Sequence, residues 1–162
     1  MEKTALNIDI KEEQNKAKEL MTKQGLRVLV CAGTGCVANG SLKVIEKFKE
    51  LGADVSVLTD YDKMTIVPTG CHGFCEQGVL VVIPDKHVTY VKVKEKDVEE
   101  IYESHIKNNK PVERLLYVDP KTHEHVLDDE HINFYAKQTR TALANCGNKN
   151  AECIDEAIAV RG

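Results

Sequence analysis

Two close pairs of cysteines constrain this chain more than any other feature. Cys31 and Cys36 form C-x4-C, Cys71 and Cys75 form C-x3-C, and 34 residues lie between the pairs. Each pair sits at the end of a strand-like run: Cys31 closes the apolar stretch RVLV, and Cys71 follows MTIVPTG. Loops leaving one end of a small sheet bring four thiolates together. The loops themselves are unusual. From Val28 to Leu42 there is no charged side chain, and from Met64 to Cys75 only His72 can carry a charge. Six of the ten glycines lie within four residues of these cysteines: Gly33, Gly35, Gly40, Gly70, Gly73 and Gly78. Glycine lets backbone approach closely and turn its N–H groups toward an anion. The neighbourhood therefore suits a buried anionic inorganic centre.

Three other uses of such cysteines stand beside that one. A structural zinc site would take the same four ligands, although C-x2-C loops are commoner there. A thiol–disulfide enzyme calls for C-x-x-C, and none is present. Unrelated buried cysteines would leave two close pairs in charge-free loops unexplained. A 2Fe-2S centre fits better, because backbone N–H···S bonds rather than lysines stabilise its added electron.

The rest of the chain supplies the frame. Residues 9–24 read as a polar helix capped by Asp9, with Glu12 three residues on, a thin stripe of Ile10, Ala17, Leu20 and Met21, and a stop at Gly25. Residues 26–33 read as a buried central strand. Ser41 is expected to cap a helix with Val44, Ile45, Phe48 and Leu51 on one face, ending at Gly52. Strands follow at 54–60 and 64–70, then a hairpin of 79–85 and 88–93 around Asp85-Lys86-His87. A helix over 94–110 places Val98, Ile101, Tyr102, His105 and Ile106 on one side, and Pro111 ends it. This order predicts a small α/β sandwich of the thioredoxin type over about 26–116, with residues 1–25 as a helical appendage. Residues 118–130 read as a polar linker, 129–144 as a helix with Ile132, Tyr135, Ala136, Thr139 and Leu143 on one face, and 152–160 as a last short helix.

VLVCAGTGCVANGS, followed by PTGCHGFCEQGVLVVIPD, resembles the thioredoxin-like 2Fe-2S ferredoxin family. The resemblance covers about 26–116. It implies a 2Fe-2S cluster with Cys31, Cys36, Cys71 and Cys75 as ligands, the first pair on one iron and the second on the other. The family includes free ferredoxins, a subunit of the NADH-oxidising arm of respiratory complex I, and N-terminal domains of flavoprotein subunits in NAD-linked, electron-bifurcating iron-only hydrogenases. NFYAKQTRTALANCGNKNAECIDEAIAVRG (133–162) resembles the opening of the flavin- and NADH-binding domain of those subunits. Residues 117–162 are then a linker and helices at the start of such a domain. That resemblance implies a portion of a longer flavoprotein subunit, whose partners are other redox subunits of a hydrogenase or NADH dehydrogenase complex. No G-x-G-x-x-G occurs, so FMN and NAD are expected only in a longer parent chain, and this portion alone should carry electrons without oxidising NADH.

Composition narrows the remaining classes. The balance of 22 Lys+Arg against 26 Asp+Glu gives a net charge of −4, which speaks against nucleic acid as partner. No apolar run approaches the roughly 18 residues of a membrane span, and residues 1–20 lack a signal-peptide core, so a cytoplasmic location is expected. Cys146 and Cys153 form C-x6-C with no ligand role implied; small-side-chain packing, or an adventitious disulfide, accounts for them. His72 reads by default as a surface histidine, with a hydrogen bond near the cluster as the alternative; with four cysteines present no histidine ligand is needed. His123, His125 and His131 read as exposed, and the run Asp128-Asp129-Glu130 as a solvated helix start. Phe74 and Val37 are expected to keep water from the site.

Overall fold

A computed structural model describes residues 9–22, 25–52, 63–150 and 153–160. Strand β1 (Leu26–Cys31) is the middle of the molecule. Leu26, Val28 and Val30 have no exposed surface, and Leu29 and Cys31 are buried too, so both faces of the strand are covered. It pairs in parallel with β2 (Met64–Thr69), from Leu26 opposite Met64 to Cys31 opposite Thr69. On its other side it runs antiparallel to β3 (Val81–Ile83), with Leu29 opposite Val82. β3 returns through β4 (Val88–Tyr90), giving the order β2-β1-β3-β4. Pro68, which has no N–H for a ladder, stands in an edge strand where none is needed.

A parallel pair cannot be joined by a tight turn; it needs a crossover. Helix α3 (Ser41–Gly52) provides it, burying Val44, Ile45 and Phe48 against β1 and β2. The sequence-derived strand at 54–60 lies outside the described residues; β1's parallel partner is 64–69 instead. Ser41 sits inside the helix rather than capping it: Lys43 and Val44 donate to the Gly40 carbonyl, and the buried Ser41 hydroxyl has no hydrogen-bond partner among the described residues. A short helix the sequence did not announce, α2 (Thr34–Ala38), precedes it and holds Cys36.

The helical stretch after β4 opens with a 3-10 turn at Glu95–Asp97, passes through α4 (Val98–Glu100) and widens into π-helical turns over Ile101–Lys107. Val98, Ile101, Tyr102, His105 and Ile106 are all buried. Here a polar pair is sealed into the core. Val112 N–H donates to Tyr90 Oη at 3.0 Å, and that oxygen lies 2.8 Å from His105 Nδ1.

Helix α1 (Ile10–Thr22) begins as expected, with Lys11 and Glu12 N–H groups donating to Asp9 Oδ1 at 2.9 and 3.3 Å. Its stripe is only half used: Ala17 is buried, while Ile10 and Leu20 are exposed. It packs against α6 (Ile154–Ala159). Glu156 of α6 is buried and receives Arg27 Nη2 from β1 at 2.9 and 3.1 Å. The same carboxylate accepts the Asn150 N–H at 2.9 Å.

Two sequence expectations beyond residue 116 need correction. The linker is a two-stranded ribbon, β5 (Tyr117–Val118) with β6 (His125–Val126), and Thr89 N–H donates to the Leu127 carbonyl across to it. Its turn is organised by the buried Asp119, which accepts N–H groups of Lys121 and Thr122. The helix expected over 129–144 is confined to α5 (Asn133–Ala136). Ile132 is fully buried, but Ala136, Thr139 and Leu143 are exposed. The segment then runs through turns whose contacts are made with the cysteine loops rather than along a helix. Among the described residues no helix is long and apolar enough to cross a membrane.

Candidate metal centre

The parallel register of β1 and β2 decides where the cysteines go. Cys31 ends β1 opposite Thr69, which ends β2, and Ala32 N–H donates to the Thr69 carbonyl at 2.9 Å. Both cysteine loops therefore leave the same end of the sheet, at neighbouring positions. They lie against each other so closely that glycine is required. A Cβ at Gly33 would come within 2.9 Å of Cys71 Cβ, and one at Gly78 within 2.8 Å of Cys36 Sγ. At Gly35 the same atom would meet Cys75 Sγ at 3.8 Å, an ordinary contact.

The cysteines differ in burial. Cys31 and Cys36 are sealed in the core, whereas Cys71 and Cys75 are exposed, with their sulfurs 3.7 Å apart. Gly73, at φ +85°, turns its N–H onto Cys71 Sγ at 3.3 Å. That conformation is open to glycine and strained for most other residues. All six cysteines are free thiols, Cys146 and Cys153 among them.

Thiols this close cannot titrate independently. The Cys36 thiol, hydrogen-bonded to Cys31, brings the Cys31 pKa down to about 6, helped by the backbone N–H groups of His72 and Gly33. Cys36 is correspondingly pushed up, by Cys31 first and by burial second. Cys71 holds the Cys75 thiol up in the same way. The buried pair thus readily gives up one proton, from Cys31, and resists losing the second, from Cys36, until a cation replaces it. A set of sulfur donors, backbone N–H groups aimed at sulfur and, from Val28 to Leu42 and from Met64 to Cys75, no Asp, Glu, Lys or Arg fits a thiolate-bound iron–sulfur centre. Among the described residues no three His, Cys, Asp or Glu side chains form a site for a single metal ion.

The residues around the loops were read less well from sequence. His72 is buried, not on the surface. Its Nε2 lies 3.1 Å from Thr69 Oγ1, and burial chiefly, then the charge of Arg140, holds its pKa down at about 4. Phe74 is buried as expected, in a cluster with Tyr117, Phe134 and Tyr135. Val37 instead faces outward. His123 and His125 are exposed on the ribbon, and His131 is exposed but paired with Asp128 at 2.6 Å. Asp129 is partly buried, and burial raises its pKa, so the acidic run is not wholly solvated. Arg140 and Gly147, which the sequence reading passed over, both contact His72. Neither carries a local signal, since each meets it only through the fold.

Comparison with known proteins adds to this geometry. The family model described as thioredoxin-like 2Fe-2S ferredoxin matches residues 19–105. A protein named "Ferredoxin, 2Fe-2S" from Aquifex aeolicus (strain VF5) is 39% identical over 84 residues, covering 50% of this chain and 71% of that one. A protein of the same name from Clostridium pasteurianum is 39% identical over 82 residues, covering 49% and 76%. The solved structure of a thioredoxin-like 2Fe-2S ferredoxin from Aquifex aeolicus superposes with a TM-score of 0.50 at 35% identity, covering 56% of this chain and 87% of that one. A cysteine-to-serine variant of that ferredoxin superposes with a TM-score of 0.51, covering 95% of its chain.

Proposed function

The chain belongs to the thioredoxin-like 2Fe-2S ferredoxins, and from that premise we propose that it transfers one electron at a time through a 2Fe-2S cluster held by Cys31, Cys36, Cys71 and Cys75, as a module of an NAD(H)-linked hydrogenase or dehydrogenase complex. The observation that carries the reading is the pairing of two glycine-dependent cysteine loops at one end of the sheet, with backbone N–H groups directed at sulfur. The cluster supplies the redox chemistry, shuttling one electron between its oxidised and reduced forms.

The chain's own residues then have three tasks. Cys31 and Cys36, buried in the core, anchor one side to the strand framework. Cys71 and Cys75, exposed on the second loop, form the side a redox partner approaches. Gly73, Gly33 and His72 direct backbone N–H groups to sulfur and so favour the more negative form without a fixed cation. None of this needs an acid, a base or a nucleophile. The link to an NAD(H)-oxidising complex rests on the likeness of 133–162 to the opening of a flavin- and NADH-binding domain, and the partners are that domain and its companion redox subunits.

Anaerobic purification followed by iron, acid-labile sulfide and zinc analysis, with reductive titration followed by EPR, tests the proposal. Two irons and two sulfides per chain, with one spin appearing as one electron is taken up from dithionite, are the expected result. NADH alone should leave the chain oxidised. One zinc and no sulfide would mean that the loops are a structural clasp instead.

A further inference from the structure

The segment beyond the family match folds back over the second cysteine loop. Phe134 stacks on Phe74 with ring centres 4.5 Å apart and an interplanar angle of 8°; Phe74 itself lies between Cys71 and Cys75. Tyr135 meets the same ring edge-on at 5.6 Å. Arg140 lies 5.1 Å over the Tyr135 ring and donates to the His72 carbonyl at 3.3 Å. Gly147 closes the arrangement against the His72 imidazole.

Inside this cap the Tyr135 hydroxyl oxygen is enclosed, and among the described residues no group hydrogen-bonds to it. An enclosed O–H with no partner costs about 1–3 kcal/mol relative to a paired one, so native structures rarely keep one without a use. Burial foremost, with Asp129, Cys31 and Cys71 adding to it and Arg140 opposing, pushes the hydroxyl's pKa up. The group therefore keeps its proton and is a donor. Its ring stands edge-on to Phe74, the residue that lies between Cys71 and Cys75 in the chain.

We propose that the Tyr135 hydroxyl donates a hydrogen bond to an inorganic sulfide of the iron–sulfur centre, so that a segment outside the matched ferredoxin region tunes the centre's reduction potential. This rests on the electron-carrier reading above. A donor to sulfur stabilises the reduced, more negative form over the oxidised one. Tyr135 is thus a tuning residue that acts directly on the centre, held in place by Phe74, Phe134 and Arg140.

The test compares the full chain with Tyr135→Phe, purified anaerobically and with the centre assembled. Tyr135→Phe removes one oxygen atom and keeps the ring contacts. Iron and sulfide content should be unchanged, and the midpoint potential should move negative. At the wild-type midpoint the reduced-to-oxidised ratio should fall roughly three- to tenfold, as for loss of a net hydrogen bond. The iron–sulfur stretching bands in resonance Raman should shift as well. Phe134→Leu, which loosens the cap but keeps the hydroxyl, should lower the melting temperature and move the potential less. A Tyr135→Phe potential and Raman spectrum equal to wild type, or a potential shift reproduced in full by Phe134→Leu, would overturn the inference. Absence of iron and sulfide from the wild type would overturn the electron-carrier reading and this inference with it.

Discussion

Gly147 lies flat against the imidazole of His72: a Cβ at residue 147 would stand 2.7 Å from Nδ1 and 2.8 Å from Cε1. The glycine also sits at φ +89°, a region L side chains adopt only under strain. Gly147→Ala therefore combines a collision with a strained backbone. It should cost about 1–3 kcal/mol, read as a lower denaturation midpoint. Because His72 neighbours Cys71, the same change should also quicken proteolysis within 137–150. A midpoint equal to wild type would show that the contact does not hold the C-terminal segment in place.

Phe74 is the keystone of the aromatic cluster, touching Tyr117, Phe134 and Tyr135 at ring separations of 5.4, 4.5 and 5.6 Å. Truncating a buried phenylalanine leaves a cavity as well as lost apolar contact. Phe74→Ala should destabilise the chain by about 3–5 kcal/mol, measured by chemical denaturation. It should also speed iron release to a chelator, since the ring braces the loop carrying Cys71 and Cys75. Retention of wild-type stability would mean the cluster rearranges to fill the space.

The buried Tyr90–His105 pair predicts a pH dependence. Burial, mainly, holds His105 neutral, with its pKa down at about 4 against an ordinary value of 6.5. Between those values the unfolded chain binds a proton that the folded chain refuses, so stability falls as pH drops from about 6.5 towards 4. Above that window the contribution is complete, and below it the loss stops growing. The loss is at most about 3 kcal/mol, at 1.36 kcal/mol per pH unit. The buried His72, held down at about 4 as well, adds a slope over the same window, so replacement by a neutral residue, His105→Gln, should reduce the slope by about half in denaturation measured from pH 4 to 7. A wild-type profile already flat there would contradict the assignment.

Local pattern was enough for the framework. The apolar run 26–31, the stripe Val44, Ile45 and Phe48, the hairpin around Asp85-Lys86-His87 and the face Val98–Ile106 all appear where periodicity put them. Cys31 and Cys71 could be placed at strand ends because strand ends are written in the sequence. Contacts between distant residues were not legible. Arg140 meets His72 across 68 residues and Arg27 meets Glu156 across 129, and neither leaves a trace in the local pattern. The helix expected over 129–144 was overestimated for the same reason: 137–149 satisfies itself in turns against the cysteine loops. Ser41 was read as a cap from its type, yet Gly40's carbonyl starts that helix.

The assignment of four sulfurs as the only iron ligands is tested most directly by counting iron in single cysteine-to-alanine variants of the anaerobically purified chain. Alanine offers no ligand atom, so Cys31→Ala, Cys36→Ala, Cys71→Ala and Cys75→Ala should each lose the intact two-iron centre and its visible spectrum. Cys146→Ala and Cys153→Ala should keep two irons per chain and the wild-type spectrum. Wild-type iron content in any of the first four, or its loss in either of the last two, would contradict the assignment.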